Sequence, residues 1–299
     1  MRMTSAAAAL VIALGAGLLT FHPSRPLYMQ QRAVAMRAAD GVVLQGTLSR
    51  PRWRRAAVPA VVIVHGSGPL TRDDVRGDMR ALVRLGFAVL TYDKRGTGRS
   101  EGVFLRQWGD SAETVLMQLA GDAAVALDSL RAADGVDATR VGFFGASQAG
   151  WIIPLAAQRA RHHPRFQVLL ASPAVSTGVE QYYSDLSGDG SRPAQVTDRR
   201  ELEARVLAYA GPRGYDPAPL LAKTAVPTLW LLGDRDLSVP TFASRRVLDS
   251  LARAGTPTHT VVSFPNADHF LRDADGGPQP AVWDEMMAWL RTQGIVRAP

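Results

Sequence analysis

Ser147 lies in Gly145-Ala146-Ser147-Gln148-Ala149-Gly150, between the apolar run Val141-Gly142-Phe143-Phe144 and the helical run Trp151-Ile152-Ile153. A serine hydroxyl becomes an effective nucleophile when a sharp strand-to-helix turn lifts its oxygen clear of the sheet, towards a base. Such a turn tolerates only small neighbours, and a larger side chain at Gly145 or Ala149 would collide across it. The usual spacing is G-x-S-x-G; here Ala149 stands in place of the second glycine and Gly150 follows one position later. The chemistry this predicts is covalent attack on an acyl carbonyl.

That chemistry needs a base and an acid. Of the six histidines, His22 follows the apolar N-terminus, His65 ends a strand-like run, His162 and His163 precede Pro164 at a helix end, and His259 opens another strand-like run. Only His269, in Asn266-Ala267-Asp268-His269-Phe270, falls in a loop after the last strand, where an imidazole can reach the serine as general base. The acid that orients it is expected between serine and histidine in chain order, at the end of another strand. The stretch from Leu229 to Pro240 supplies Asp234 and Asp236. Asp236 is preferred, because Asp234 directly follows the strand and Gly233, where a carboxylate more often ties down the turn. Ser147, Asp236 and His269 then succeed one another, each after its own strand.

The elements that must hold these residues can be read from hydropathy. Residues 42–49 alternate as a half-exposed strand, and short apolar runs at 60–64, 87–90, 141–144, 168–170, 228–232 and 260–264 suit a sheet buried on both faces. Amphipathic helical stretches intervene at 73–85, 111–133, 148–161 and 241–254, with a last one at 281–292. Alternating strands and helices predict an α/β fold with a mostly parallel, doubly wound central sheet. Ligands then bind at the carboxyl ends of the strands, where the candidate residues fall.

With these elements in place, the chain resembles the α/β-hydrolase family from about residue 33 to its end. His65-Gly66-Ser67-Gly68-Pro69 is similar to the family's oxyanion loop, Tyr92 to Ser100 to its D-x-R-G-x-G-x-S loop, and Gly233 to Pro240 to its acid turn. The resemblance implies an oxyanion hole formed by the backbone N–H of Gln148 and an N–H of the His65–Gly68 loop, assigned to Ser67. It is closest to esterase-like or acyl-transfer serine hydrolases, and more distant from peptidases of the prolyl-oligopeptidase type. His65 is expected to brace the oxyanion loop, and Asp93 and Arg95 to hydrogen-bond within their own glycine-rich loop. Gly96-Thr97-Gly98 lacks the third glycine and the lysine of a nucleotide loop.

Alternation stops between Pro173 and Val226, and an insertion of about fifty residues between two core strands predicts a small helical cap, residues 174–225, that acts as a lid. A helix is expected at 198–209. Tyr182, Tyr183 and Tyr215 either line an acyl pocket or pack the cap down.

With 299 residues and 46% hydrophobic composition, the chain suits one large domain, residues 31–299. The net charge of +7 is carried almost wholly by arginine, since lysine occurs only at 94 and 223. The arginines are scattered among acids, which argues against a nucleic-acid partner; the cluster Arg50, Arg52, Arg54 and Arg55 reads as a solvated turn that would face anionic headgroups only near a membrane. Residues 1–30 contain an uncharged apolar run from Ala6 to Phe21, short of the roughly 20 residues of a spanning helix, and read as a secretory signal or an N-terminal membrane anchor. Export is expected, and zero cysteines do not oppose it, because a core of this size needs no disulfide staples. No histidine and carboxylate spacing suggests a metal, and no cofactor is expected. The functional expectation is hydrolysis of a small-molecule carboxylic ester or thioester; a prolyl-oligopeptidase-type peptidase and a non-catalytic binding protein are the alternatives, with oligomeric state left open.

Overall fold

The chain enters its sheet through a hairpin that hydropathy conceals. Strand β1 (Met29–Arg37) pairs antiparallel with β2 (Val43–Pro51) along its full length, yet six of its nine residues are exposed. An edge strand with one neighbour and polar side chains has no apolar alternation to betray it, so hydropathy places the first strand only from residue 42. The computed structural model describes residues 28–106, 111–256, 258–273 and 280–297, so the N-terminal segment read as a signal or anchor, with His22, lies outside the described residues. Among the described residues no helix is long and apolar enough to cross a membrane.

The remaining elements alternate as expected: β3 (Val58–Val64), α1 (Arg76–Arg84), β4 (Ala88–Tyr92), α2 (Ala112–Arg131), β5 (Val136–Ala146), α3 (Ala149–Arg159) and β6 (Gln167–Leu170). Then come α4 (Thr177–Ser187), α5 (Arg199–Leu207), α6 (Ala218–Leu221), β7 (Thr228–Gly233), α7 (Thr241–Arg253), β8 (His259–Phe264) and α8 (Pro280–Thr292). The eight strands lie in the order β1-β2-β4-β3-β5-β6-β7-β8. Pairings from β4 through β8 are parallel, and the two involving β2 are antiparallel. This is the α/β-hydrolase arrangement.

Strand β3 shows why the middle of the sheet reads as an unbroken apolar run: every residue is buried. Successive side chains point to opposite faces, so Ala60, Val62 and Val64 join the core built with α2 and α3, while Val61 and Ile63 join the one built with α1 and α8. The segment between β6 and β7 has its own small core of Val179, Tyr183, Leu186, Leu202 and Val206, seated against Ala243 of α7. All strand ends that matter for chemistry, after β3, β5, β7 and β8, open on the same edge of the sheet, under this segment.

Candidate active site

Ser147 occupies the two-residue turn between β5 and α3 and has a left-handed backbone, φ +56°. For a non-glycine residue that conformation costs on the order of 1–3 kcal/mol and persists only where the surroundings enforce it. Here the Ser147 N–H donates to Leu170 O on β6 at 3.0 Å, and its carbonyl accepts from Gly150 N at 2.9 Å. The steric reason for the small flanking residues is visible: a Cβ at Gly145 would stand 2.6 Å from the methyl of Ala149 and 2.8 Å from Val64 O. The Ala149 methyl therefore takes the space that Gly145 vacates, which explains how an alanine replaces the second glycine of the usual pattern.

His269 sits in the loop after β8. Asp268 holds that loop by accepting the backbone N–H groups of Phe270 and Arg272 at 2.8 and 2.9 Å. The His269 Nδ1–H donates to Asp236 Oδ2 at 2.8 Å, and because an ionised carboxylate only accepts, Nε2 is left as the unprotonated nitrogen. Asp236 Oδ1 accepts from the backbone N–H of Ser238 and Val239, at 2.7 and 2.8 Å, and the carboxylate is fully buried. Asp234, the competing acid, instead lies 3.9 Å from Arg245 and is partly exposed. Gly233 allows the acid turn and the histidine loop to meet, since a Cβ there would be 2.5 Å from Ala267 O. Burial opposes a charged imidazolium at His269, but the hydrogen bond and charge of Asp236 outweigh it, and the ring titrates above its ordinary value.

Ser67, Ser147, Gln148 and His269 line one cavity of about 660 Å³, within the range that accepts a small-molecule ligand. The His65–Gly68 loop lies directly beside the serine: a Cβ at Gly66 would be 3.4 Å from Ser147 Cβ and 3.9 Å from its Oγ. His65 is buried, its Nε2–H donates to Thr71 O at 3.1 Å, and desolvation pushes it down to about 4, so it braces the loop as a neutral ring. The structure thus brings together all five residues singled out from the sequence.

Other expectations resolve differently. Asp93 takes a two-pronged ion pair from Arg72, at 2.9 and 2.6 Å, besides the N–H of Arg99 in its own loop. Arg95 leaves the loop altogether, gripping Asp122 of α2 at 2.7 and 2.6 Å and Asp40 of the β1–β2 turn at 2.8 Å. A guanidinium this buried needs carboxylates, and the one carboxylate of its own loop, Asp93, is already paired with Arg72. Of the three tyrosines, Tyr182 lines the cavity and stacks on Tyr209, with ring centroids 4.7 Å apart. Tyr183 and Tyr215 are buried packing residues. Tyr183 does more: its hydroxyl donates to Asp236 O at 2.5 Å, while Ser187 Oγ donates to Leu237 O at 2.5 Å, so α4 clamps the acid turn.

Two further residues near the serine have no part in the expected triad or oxyanion hole. Glu180 of α4 lines the cavity, and burial pushes its carboxyl up to about 8, against the opposing charge of His269. Lys94, which follows Asp93 at the end of β4, is buried behind the His65–Gly68 loop, where desolvation pushes it down to about 7. Nothing in the local pattern marks either residue, because both reach the site through long-range packing. Among the described residues no three His, Cys, Asp or Glu side chains gather as metal ligands.

The sheet order and the placement of the serine turn define an α/β hydrolase. The chain belongs to the prolyl oligopeptidase family, which it matches over residues 74–293. It is 24% identical to Esterase EstD of Thermotoga maritima over 284 residues, covering 83% of this chain and 65% of that protein. The chain thus spans just under two thirds of the length of that relative. Among solved structures it resembles an esterase of Pyrococcus furiosus (TM-score 0.63, 15% identity, 90% of this chain and 92% of that one). It also resembles an acetyl xylan esterase from Paenibacillus sp. R4 (TM-score 0.61, 18% identity, 90% and 86%).

Proposed function

We propose that this protein is a serine hydrolase that cleaves a carboxylic ester or thioester through an acyl-enzyme. The observation that carries the reading is the 2.8 Å hydrogen bond from His269 to the buried Asp236, on the rim of the cavity that exposes the left-handed Ser147. In this mechanism His269 Nε2 takes the Ser147 hydroxyl proton as Oγ bonds to the acyl carbon. The carbonyl oxygen becomes an oxyanion, received by the backbone N–H groups of Ser67 and Gln148. Collapse breaks the bond to the leaving alcohol or thiol, which departs with the proton from His269. Water, deprotonated by the same nitrogen, then attacks the ester on Ser147 and releases the acid and the serine.

The names of the esterase relatives support the ester reading, and the α4–α6 segment serves as the lid that bounds the acyl site. Turnover of a p-nitrophenyl ester series from acetate to laurate, beside aminoacyl-anilides and with a Ser147→Ala control, tests it. Ester turnover that disappears in the control supports the proposal, and the chain-length optimum sizes the acyl site. Activity on anilides alone would establish the second reading, a peptidase, which the family match favours. Turnover undiminished in Ser147→Ala would refute both, and silence on every substrate would return the chain to a binding role. Residues 1–30 are assigned to export, as cleaved signal or retained anchor; sequencing the N-terminus of the mature protein from separated membrane and soluble fractions tests this, and a soluble cytoplasmic chain starting at Met1 would refute it.

A further inference from the structure

Lys94 is the one ammonium built into the floor of this site among the described residues, and its surroundings are unusual. Its Nζ donates to Gly66 O at 2.5 Å, to Gly68 O at 3.2 Å and to Gln148 Oε1 at 2.8 Å. An ammonium has three N–H donors, and all three are used. All three acceptors are neutral, and no described carboxylate lies within 4.0 Å of the amine. The ring of Phe104, which lines the cavity, approaches Nζ at 6.0 Å from its centroid. A buried cation without a counter-ion is a poor way to stabilise a fold, because its desolvation is not offset by a charge partner. Its value must lie in where it is aimed.

The acceptors name the target. Gly66 O belongs to the same peptide unit as Ser67 N–H, and in a trans peptide the carbonyl and the N–H point in opposite directions. An ammonium that draws the Gly66 oxygen to itself therefore turns the Ser67 N–H the other way and polarises it into a stronger donor. The bond to Gln148 Oε1 fixes the side chain of the residue whose backbone N–H is the other donor. The first acceptor lies 28 residues before Lys94 and the last 54 residues after it, so one side chain ties together two loops that the sequence holds far apart.

We infer that Lys94 is a positioning residue of the oxyanion hole: its ammonium, seated on Gly66 O, Gly68 O and Gln148 Oε1, sets the direction and donor strength of the Ser67 and Gln148 N–H groups. The inference rests on the proposed serine hydrolase mechanism. Lys94 itself touches no reacting atom. It acts on the developing oxyanion through the peptide between them, which is stronger in the transition state than with bound substrate, so its loss falls on kcat and not on KM.

The test compares Lys94→Met and Lys94→Gln with wild type in the full-length protein. Readouts are kcat and KM on a p-nitrophenyl ester, affinity for an alkyl boronic acid, which forms a tetrahedral anionic adduct on a serine, and melting temperature as a check of folding. Removing one oxyanion donor costs about 10²–10³ in kcat, so a misdirected donor is expected to cost on the order of a hundredfold in Lys94→Met, with KM within about threefold. Boronate affinity should fall by a similar factor. Lys94→Gln keeps two N–H donors without the charge and should recover part of the loss, to about a tenfold deficit. A folded Lys94→Met with kcat within threefold of wild type, or a loss confined to KM, overturns the inference; should that variant precipitate, the same threshold applies to Lys94→Gln. Boronate that binds wild type but not Ser147→Ala, beside unaffected Lys94 variants, sinks only the role of Lys94. Turnover retained in Ser147→Ala sinks the hydrolase mechanism itself.

Discussion

Replacing Asp236 by Asn leaves the shape of the acid turn almost unchanged, yet the geometry makes it a severe change. Asp236 Oδ1 already accepts two backbone N–H groups, from Ser238 and Val239, and Oδ2 accepts the His269 Nδ1–H. An asparagine must give its single oxygen to the two backbone donors, since turning its NH₂ towards them would leave three donors facing one another in a buried site. The NH₂ then faces His269 Nδ1, which has to become the acceptor, and the ring proton moves to Nε2. In that tautomer the nitrogen meant to receive the serine proton already carries one. The expected loss in kcat is on the order of 10⁴, as in other triads, or about 5 kcal/mol of transition-state stabilisation. The assay is ester turnover across pH. In wild type, activity should fall as pH drops through a His269 titration that lies above the ordinary 6.5, because protonation of Nε2 removes the base. Removing the Asp236 charge should move that acidic limb to lower pH in whatever activity remains. Asp234→Asn is the control, expected within about twofold of wild type because its carboxylate is partly exposed and only distantly paired. An Asp236→Asn variant that keeps a tenth of wild-type kcat, or an Asp234→Asn variant that loses as much, would refute the assignment of the acid.

Three further outcomes are expected. Tyr183→Phe removes the hydroxyl that holds Asp236 O and leaves that buried carbonyl short of a donor; it should destabilise the protein by about 1–3 kcal/mol in denaturant unfolding and lower kcat several-fold, whereas unchanged values would deny α4 its part in holding the acid turn. Gly145→Ala drives a methyl to 2.6 Å from Ala149 Cβ and should cost about 1–3 kcal/mol together with most ester activity; the double change Gly145→Ala with Ala149→Gly should regain a good part of both, and failure to do so would mean the clash with Val64 O dominates. Burial opposes the charge of Asp93, but Arg72 and the N–H groups of Arg72 and Arg99 hold its carboxyl at about 2. A carboxylate lowered in the folded state contributes stability that is fully present above its unfolded value near 4 and is lost as pH falls through about 2. Asp93→Asn should therefore flatten the decline of stability between pH 4 and 2, and an unaltered acid-unfolding curve would remove Asp93 from that account.

Much of the architecture was legible because it rests on local chemistry. Unbroken apolar runs such as 60–64 and 228–232 announce strands covered on both faces, and the observed β3 and β7 extend them by only two residues at the start and one at the end, respectively. The edge strand β1 was not legible: six of its nine side chains are solvated, so burial left no pattern, and its existence depends on backbone pairing with β2. Arg95 shows the same limit in electrostatics. Its need for an acid partner follows from its type, but the partners Asp122 and Asp40 lie 27 and 55 residues away.

Ser147, Asp236 and His269 are residues whose neighbourhood in the chain already carries their meaning: small residues make a tight turn possible, each residue follows a strand, and their order along the chain is readable without coordinates. Proximity is a different matter. That His269 pairs with Asp236 and not Asp234 is visible only in the folded chain, where the histidine loop comes so close to the acid turn that its backbone occupies the place of a side chain at Gly233. That Tyr183 clamps the acid turn while Tyr182 faces the cavity is decided by which side of α4 meets the domain. Lys94 depends on both kinds of information: its place after β4 follows from local pattern, but only the folded sheet, which lays β4 beside β3 and β3 beside β5, brings its ammonium under Gly66 and Gln148. Short-range sterics and hydropathy act between neighbours in sequence and can be read there, whereas hydrogen bonds across tens of residues exist only once the sheet has ordered its strands.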